Sequence, residues 1–235
     1  MKEAGQLRIF ELDAMADSHE YIFIDEAGFN LTKRRKRGRN ILGQHAVTQV
    51  PGQRGGKITI CAAISNNGVL HRHAKLGPDN MAQLLQFLDQ LHNNVLQQEG
   101  EPGQPEQVQY VVIWDNVSFH RAALVHTWFN AHPRFTVLFL PAYSPFLNPI
   151  EGFFSAWWWK VYDRNPYIHQ NLLEAMLDAC GDVSVASIQG YIRHTRAFFS
   201  CCLARANIMC DVDEILWPDL HLRRDNDENV DAVAE

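Results

Sequence analysis

Two short apolar runs, each closed by an aspartate, constrain the fold of this chain more than any other feature: Tyr21-Ile22-Phe23-Ile24-Asp25 and Val111-Val112-Ile113-Trp114-Asp115. Continuous β-branched and aromatic runs of this length read as buried strands. In open α/β sheets, ligands sit just beyond strand ends. If the two strands are neighbours, their carboxylates converge. Converging carboxylates repel and raise each other's pKa unless a cation holds them. A set of oxygen ligands selects Mg²⁺ or Mn²⁺.

The rest of the chain supplies the layers such strands need. Ala46 to Val50 alternates weakly, Lys57 to Ser65 is a strong strand, and Asn66-Asn67-Gly68 turns into a further strand over Val69 to His73. Three extended segments joined by turns suggest an antiparallel meander. The period then changes. Met81, Leu84, Leu85, Leu88, Leu91 and Val95 share one face of a helix, with Pro78-Asp79 as its start signal. Gln97 to Gln107 reads as a loop, Arg121 to Asn130 as a helix, and Phe135 to Leu140 as an apolar strand ended by Pro141. Helical patterns follow about Ile150 to Val161, Leu172 to Cys180 and Val185 to Cys202. The sum is a mixed sheet flanked by helices, in one α/β domain.

Composition narrows the class. The chain has 235 residues, 46% hydrophobic and 20% charged, enough to bury a sizeable core. No apolar run is long enough to span a membrane, and Met1 to Asp17 has no signal-peptide pattern. The expected setting is therefore the nucleus in a eukaryote or the cytoplasm otherwise, without secretion. Cys61, Cys180, Cys201, Cys202 and Cys210 are odd in number and lack a CxxC spacing, so they read as buried free thiols. The net charge of −6 counts mildly against a nucleic-acid partner, but binding needs only a local patch. Such a patch exists: Lys33, Arg34, Arg35, Lys36, Arg37 and Arg39 crowd into seven positions just after the first aspartate. They read as a phosphate grip or an import signal, against the plain alternative of a solvated loop.

A third carboxylate completes the constellation. Asn148-Pro149-Ile150-Glu151 opens a helix, with Asn as N-cap, Pro at N1 and Glu at N3. Glu151 could close the acidic site from a third side. Two metals held by such carboxylates activate a water and stabilise the leaving oxygen in phosphodiester displacement. The bland readings stand beside this one. A strand-ending aspartate is equally a turn residue, and spacing alone favours a capping box for Glu151.

Three motifs in order resemble those of the Tc/mariner superfamily of DDE transposases. Phe23-Ile24-Asp25-Glu26-Ala27-Gly28-Phe29-Asn30 is similar to its first acidic motif, and Trp114-Asp115-Asn116 with His120 to its second. Leu140-Pro141-Ala142-Tyr143-Ser144-Pro145-Phe146-Leu147-Asn148-Pro149-Ile150-Glu151 resembles the third, with Ala142 where the family has a second proline. Between Asp115 and Glu151 lie 35 residues, a spacing typical of this superfamily. The resemblance covers roughly Tyr21 to Arg164. It implies an RNase H-like mixed five-stranded sheet, with Asp25 on the first strand, Asp115 on the fourth and Glu151 on a later helix. It implies two Mg²⁺ or Mn²⁺ ions on these three residues, DNA as partner, cleavage and strand transfer, and a possible homodimer. Asn116 and His120 would stand as supporting residues beside the site. Only about twenty residues precede the first strand, so the helix-turn-helix modules of full-length relatives are expected to be missing.

The expected organisation is a leader over 1–20, the catalytic core over 21–165, packing helices over 166–222 and a disordered acidic tail over 223–235. His71 and His73 share a strand face but find no further metal ligand at a plausible spacing, so packing is the simpler reading. Trp157 belongs to a core stripe. Trp158, seven residues after Glu151, could reach a substrate cleft, though packing is the simpler role. Two other functions compete with a transposase: an inactive, domesticated module that binds nucleic acid or protein, and another RNase H-like nuclease.

Overall fold

The computed structural model describes residues 9, 11–13, 19–29, 58–98, 108–141, 144–164 and 172–204. The basic run, Ala46 to Val50, Pro51 to Gly56, Cys210 and the acidic tail lie outside the described residues.

The strands are β1 (His19–Phe29), β2 (Ile58–Ser65), β3 (Gly68–Leu76), β4 (Gln109–Trp114) and β5 (Phe135–Phe139). They form one sheet in the order β3-β2-β1-β4-β5, with β1, β2 and β3 antiparallel and β4 and β5 parallel to β1. The meander is therefore built on β1, β2 and β3. Gly68 takes φ 114° as β3 begins, a conformation that strains any residue with a Cβ.

The helices are α1 (Met81–Gln98), α2 (Ala123–Ala131), α3 (Ile150–Asp163), α4 (Leu172–Gly181) and α5 (Val185–Leu203). The start of α1 differs from expectation. Asn80 Oδ1 accepts from Gln83 N at 3.0 Å, and Gln83 Oε1 accepts from Asn80 N at 3.2 Å. That reciprocal capping box opens the helix. Asp79 is occupied elsewhere, by His73 and Lys75, each at 3.2 Å. Gln97 and Gln98 continue the helix rather than beginning a loop.

Alternation along the strands builds two cores, one on each face. Phe23, Phe29, Ile60, Ile64, Val111 and Ile113 pack under α3, α4 and α5, where Phe153, Trp157, Met176 and Ile188 are buried. Ile22, Ile24, Cys61, Val112 and Trp114 pack under α1 and α2, against Leu84, Leu88, Leu91, Val125 and Phe129. Each fully buried large side chain contributes roughly 1.5–3 kcal/mol of hydrophobic stabilisation. Trp157 Nε1 donates to Met176 O at 2.7 Å, so its polar atom is satisfied inside the core. Trp158 packs on Phe29 with ring centroids 3.8 Å apart. His71 and His73 pack on Phe87. Cys61 and Cys180 are buried free thiols, whereas Cys201 is exposed, against expectation, because it lies on the outward side of α5.

Candidate active site

The sheet register brings the two aspartates together. Parallel pairing of β1 with β4 runs from His19↔Gln109 to Phe23↔Ile113. Asp25 and Asp115 each stand two residues past that last pair, so alternation keeps both on the face of Phe23 and Ile113. Asp25 does not end its strand as expected. β1 continues to Phe29 because its other edge stays paired with β2 through Phe29↔Ile58. What ends at this point is only the β1–β4 ladder, and the carboxylates occupy the gap it leaves.

Glu151 approaches from above this face. A single 3₁₀ turn (Pro145–Leu147) leads through Asn148 into α3, and Glu151 sits on the first turn of that helix. The expected capping box is not made. Asn148 Nδ2 instead donates to Asp25 Oδ2 at 3.0 Å, and Asn148 Oδ1 is buried without a hydrogen-bond donor. Only the backbone closes the turn, with Glu151 N donating to Asn148 O at 3.2 Å. Glu151 is thus released from capping. The residue as a whole is exposed, but its carboxyl lies near enough to Asp115 and the surrounding protein to be disfavoured as a charge.

The electrostatics show how closely the three acids are coupled. Burial pushes the Asp25 carboxyl up to about 8. The backbone N–H of Glu26, which donates to its Oδ1 at 2.8 Å, opposes that rise, while Asp115, Glu151 and Glu26 push it further up. The Glu151 carboxyl is likewise raised, by desolvation and by Asp115. Among the described residues, no group of three or more His, Cys, Asp or Glu side chains is arranged to hold a metal ion as it stands.

Asp115 has a basic partner. His120 Nδ1 lies 2.5 Å from Asp115 Oδ1, and His120 Nε2 donates to Glu26 Oε2 at 3.0 Å. Its ring is buried and stacks on Trp114, centroids 4.0 Å apart. Burial alone would lower the His120 pKa. The contacts with Asp115 and Glu26 outweigh it and raise the ring to about 9. His120 lies in the turn before α2, and Asn116 is exposed directly after Asp115. Reasoning from the sequence missed Glu26 and the Asn148–Asp25 contact. The signal for Glu26 was its place beside Asp25, on the opposite face.

The DDE superfamily endonuclease profile matches residues 20–170. The chain belongs to the DDE superfamily endonucleases. As a member of that family it also has structural relatives among solved proteins. The Mos1 transposase paired-end complex with the left transposon end superposes with a TM-score of 0.63 at 19% identity, covering 87% of this chain and 60% of that one. The catalytic domain of Mos1 mariner transposase gives 0.59 at 17% identity, covering 87% and 90%. The Mos1 catalytic domain with raltegravir and Mg gives 0.61 at 16% identity, covering 87% and 92%. These likenesses establish that this DDE endonuclease has the RNase H-like fold of the Mos1 catalytic domain. The chain spans about 60% of the length of the first Mos1 chains it matches. No curated protein sequence is similar enough to count as a match.

Proposed function

We propose that this DDE endonuclease is the catalytic part of a cut-and-paste DNA transposase of the Tc/mariner kind, with Asp25, Asp115 and Glu151 as its catalytic acids. The observation that carries the reading is their convergence on one end of one face, where burial and mutual repulsion hold the Asp25 carboxyl up to about 8. A site that penalises its own negative charge this strongly is suited to a cation. The donors are all carboxylate oxygens, which fits Mg²⁺ or Mn²⁺, and a buried, undonated amide oxygen stands in the same cluster at Asn148. The solved Mos1 structures with Mg or Mn support that choice.

Asp25, Asp115 and Glu151 would hold the ions. When bound, such ions activate a water and stabilise the leaving oxygen of a phosphodiester. The chain's own contribution is aim. Asn148 and the Glu26 N–H fix both oxygens of Asp25, and His120 holds one oxygen of Asp115. The substrate on this reading is DNA, which the Mos1 paired-end complex with a transposon end supports, and the working unit would be a homodimer. Lys33, Arg34, Arg35, Lys36, Arg37 and Arg39 follow β1 directly in the chain and would grip phosphates. No helix among the described residues is long and apolar enough to cross a membrane.

The test is nicking of supercoiled plasmid by the 235-residue chain in Mg²⁺ or Mn²⁺. Asp115→Asn should abolish nicking with the fold intact, since the amide keeps the shape and removes the charge. Neutralising the basic run should flatten the salt dependence of DNA binding by roughly 0.9 per lost phosphate contact. Nicking that survives in Asp115→Asn, or in excess chelator, would sink the mechanism.

A further inference from the structure

The end of the β1–β4 ladder is a gap in the sheet, and one ring bridges it. Asp25 and Asp115 lie on the α3 side. Glu26, one residue after Asp25, is turned by strand alternation to the α1–α2 side, where it is opposite Cys61 in the β2 register. A carboxylate there faces an apolar core and would ordinarily be absent. It is present with its side chain 17% exposed, and its Oε2 is engaged by His120 Nε2 at 3.0 Å. The other nitrogen of the same ring reaches across to Asp115 Oδ1 at 2.5 Å. Trp114 lies flat against the ring, 22° from parallel, so the ring is kept from tilting out of its plane, while its direction within that plane is set by the partners of its two nitrogens.

We infer that Glu26, acting through His120, is a positioning residue for Asp115: a carboxylate on the far face of the sheet that sets the direction of one on the near face. This rests on the reading of Asp115 as a metal-binding residue. The physical argument is one of freedom. Asp115 follows the last residue of β4, so the ladder that orients Trp114 no longer restrains it. Asp25 lies inside a strand and is held by Asn148 and by the Glu26 N–H. Asp115 has His120, and His120 is held on its far side by Glu26. Without Glu26 the ring keeps its stack but loses the anchor that fixes which way its Nδ1 points. Partners that orient metal-binding groups in this way typically change metal affinity 10–100-fold when removed.

The experiment measures Mn²⁺ binding to the 235-residue chain by titration, with free Mn²⁺ followed by electron paramagnetic resonance. Wild type, Asp115→Asn, Glu26→Ala and Glu26→Gln are compared, each checked for cooperative unfolding. Expected are lost binding in Asp115→Asn and a 10–100-fold weaker dissociation constant in Glu26→Ala. Glu26→Gln keeps an acceptor for His120 Nε2 and should recover most of the affinity. Recovery is short of complete because the amide lacks the charge. If Glu26→Ala does not fold, a few-fold loss in Glu26→Gln therefore supports the inference and wild-type affinity in Glu26→Gln overturns it. Wild-type affinity in both Glu26 variants, with Asp115→Asn impaired, overturns the positioning role alone. Wild-type protein that takes up no Mn²⁺, or an Asp115→Asn variant that binds as well as wild type, overturns the metal-site reading and this inference with it.

Discussion

Asp25 and Glu26 are neighbours on β1 and point to opposite faces of one sheet, and the two faces treat their charge differently. On the α3 side, among the described residues, Asp25 meets two further acids and two neutral donors, Asn148 and a backbone N–H. On the α1–α2 side, Glu26 meets a buried histidine that it shares with Asp115. The first arrangement crowds acids together, which disfavours the charged forms of Asp25 and Glu151. The second neutralises charge and converts it into orientation. A face that concentrates like charges within a packed core is where a cation or a reacting group belongs. A face that pairs its charges is where a support belongs.

The comparison can be broken at the level of packing first. Trp157 is fully buried under the site face, and its indole N–H is bonded to Met176 O. Trp157→Ala should cost about 3–5 kcal/mol in denaturant unfolding, from cavity formation and the lost bond. A loss under about 1 kcal/mol would mean that α3, and with it Glu151, is not anchored as described.

A smaller effect probes the charge difference directly. The Asp25 carboxyl stands at about 8 in the folded chain against an ordinary 3.8. Between those values the folded state keeps a proton that the unfolded chain has released. Metal-free stability should therefore fall as pH rises from about 4 to about 8, by a total of a few kcal/mol. Asp25→Asn should flatten that slope and raise stability near neutral pH. An equally steep slope in the mutant, measured by urea unfolding across the window, would place the charge penalty elsewhere.

The least of the expected effects concerns the neutral donors. Asn148→Ala removes the amide held against Asp25 and leaves a carboxyl oxygen without its donor. The cost should be about 1.5–3 kcal/mol, the usual range for a hydrogen bond to a charged group, and less where Asp25 is protonated. The pH dependence separates the cases. If the loss is the same at pH 5 and pH 9, the contact is ordinary packing rather than charge stabilisation.

The local pattern in the sequence already contains much of this. The runs before Asp25 and Asp115 are strands because β-branched and aromatic residues crowd them. α1 is legible because Leu84, Leu88, Leu91 and Val95 recur at helical period. The three acids were legible through motifs rather than through spacing, which by itself favoured a capping role for Glu151. Tertiary structure decided against that role, because Asn148 spends its amide on Asp25, a residue 123 positions away. It also decided that Asp25 lies inside a strand, since β1 outlasts its pairing with β4 only by virtue of β2. The Glu26–His120–Asp115 line could not be read from the chain. Its contacts join residues 94 positions apart across the end of a sheet, and periodicity reports which face a side chain takes, not what meets it there.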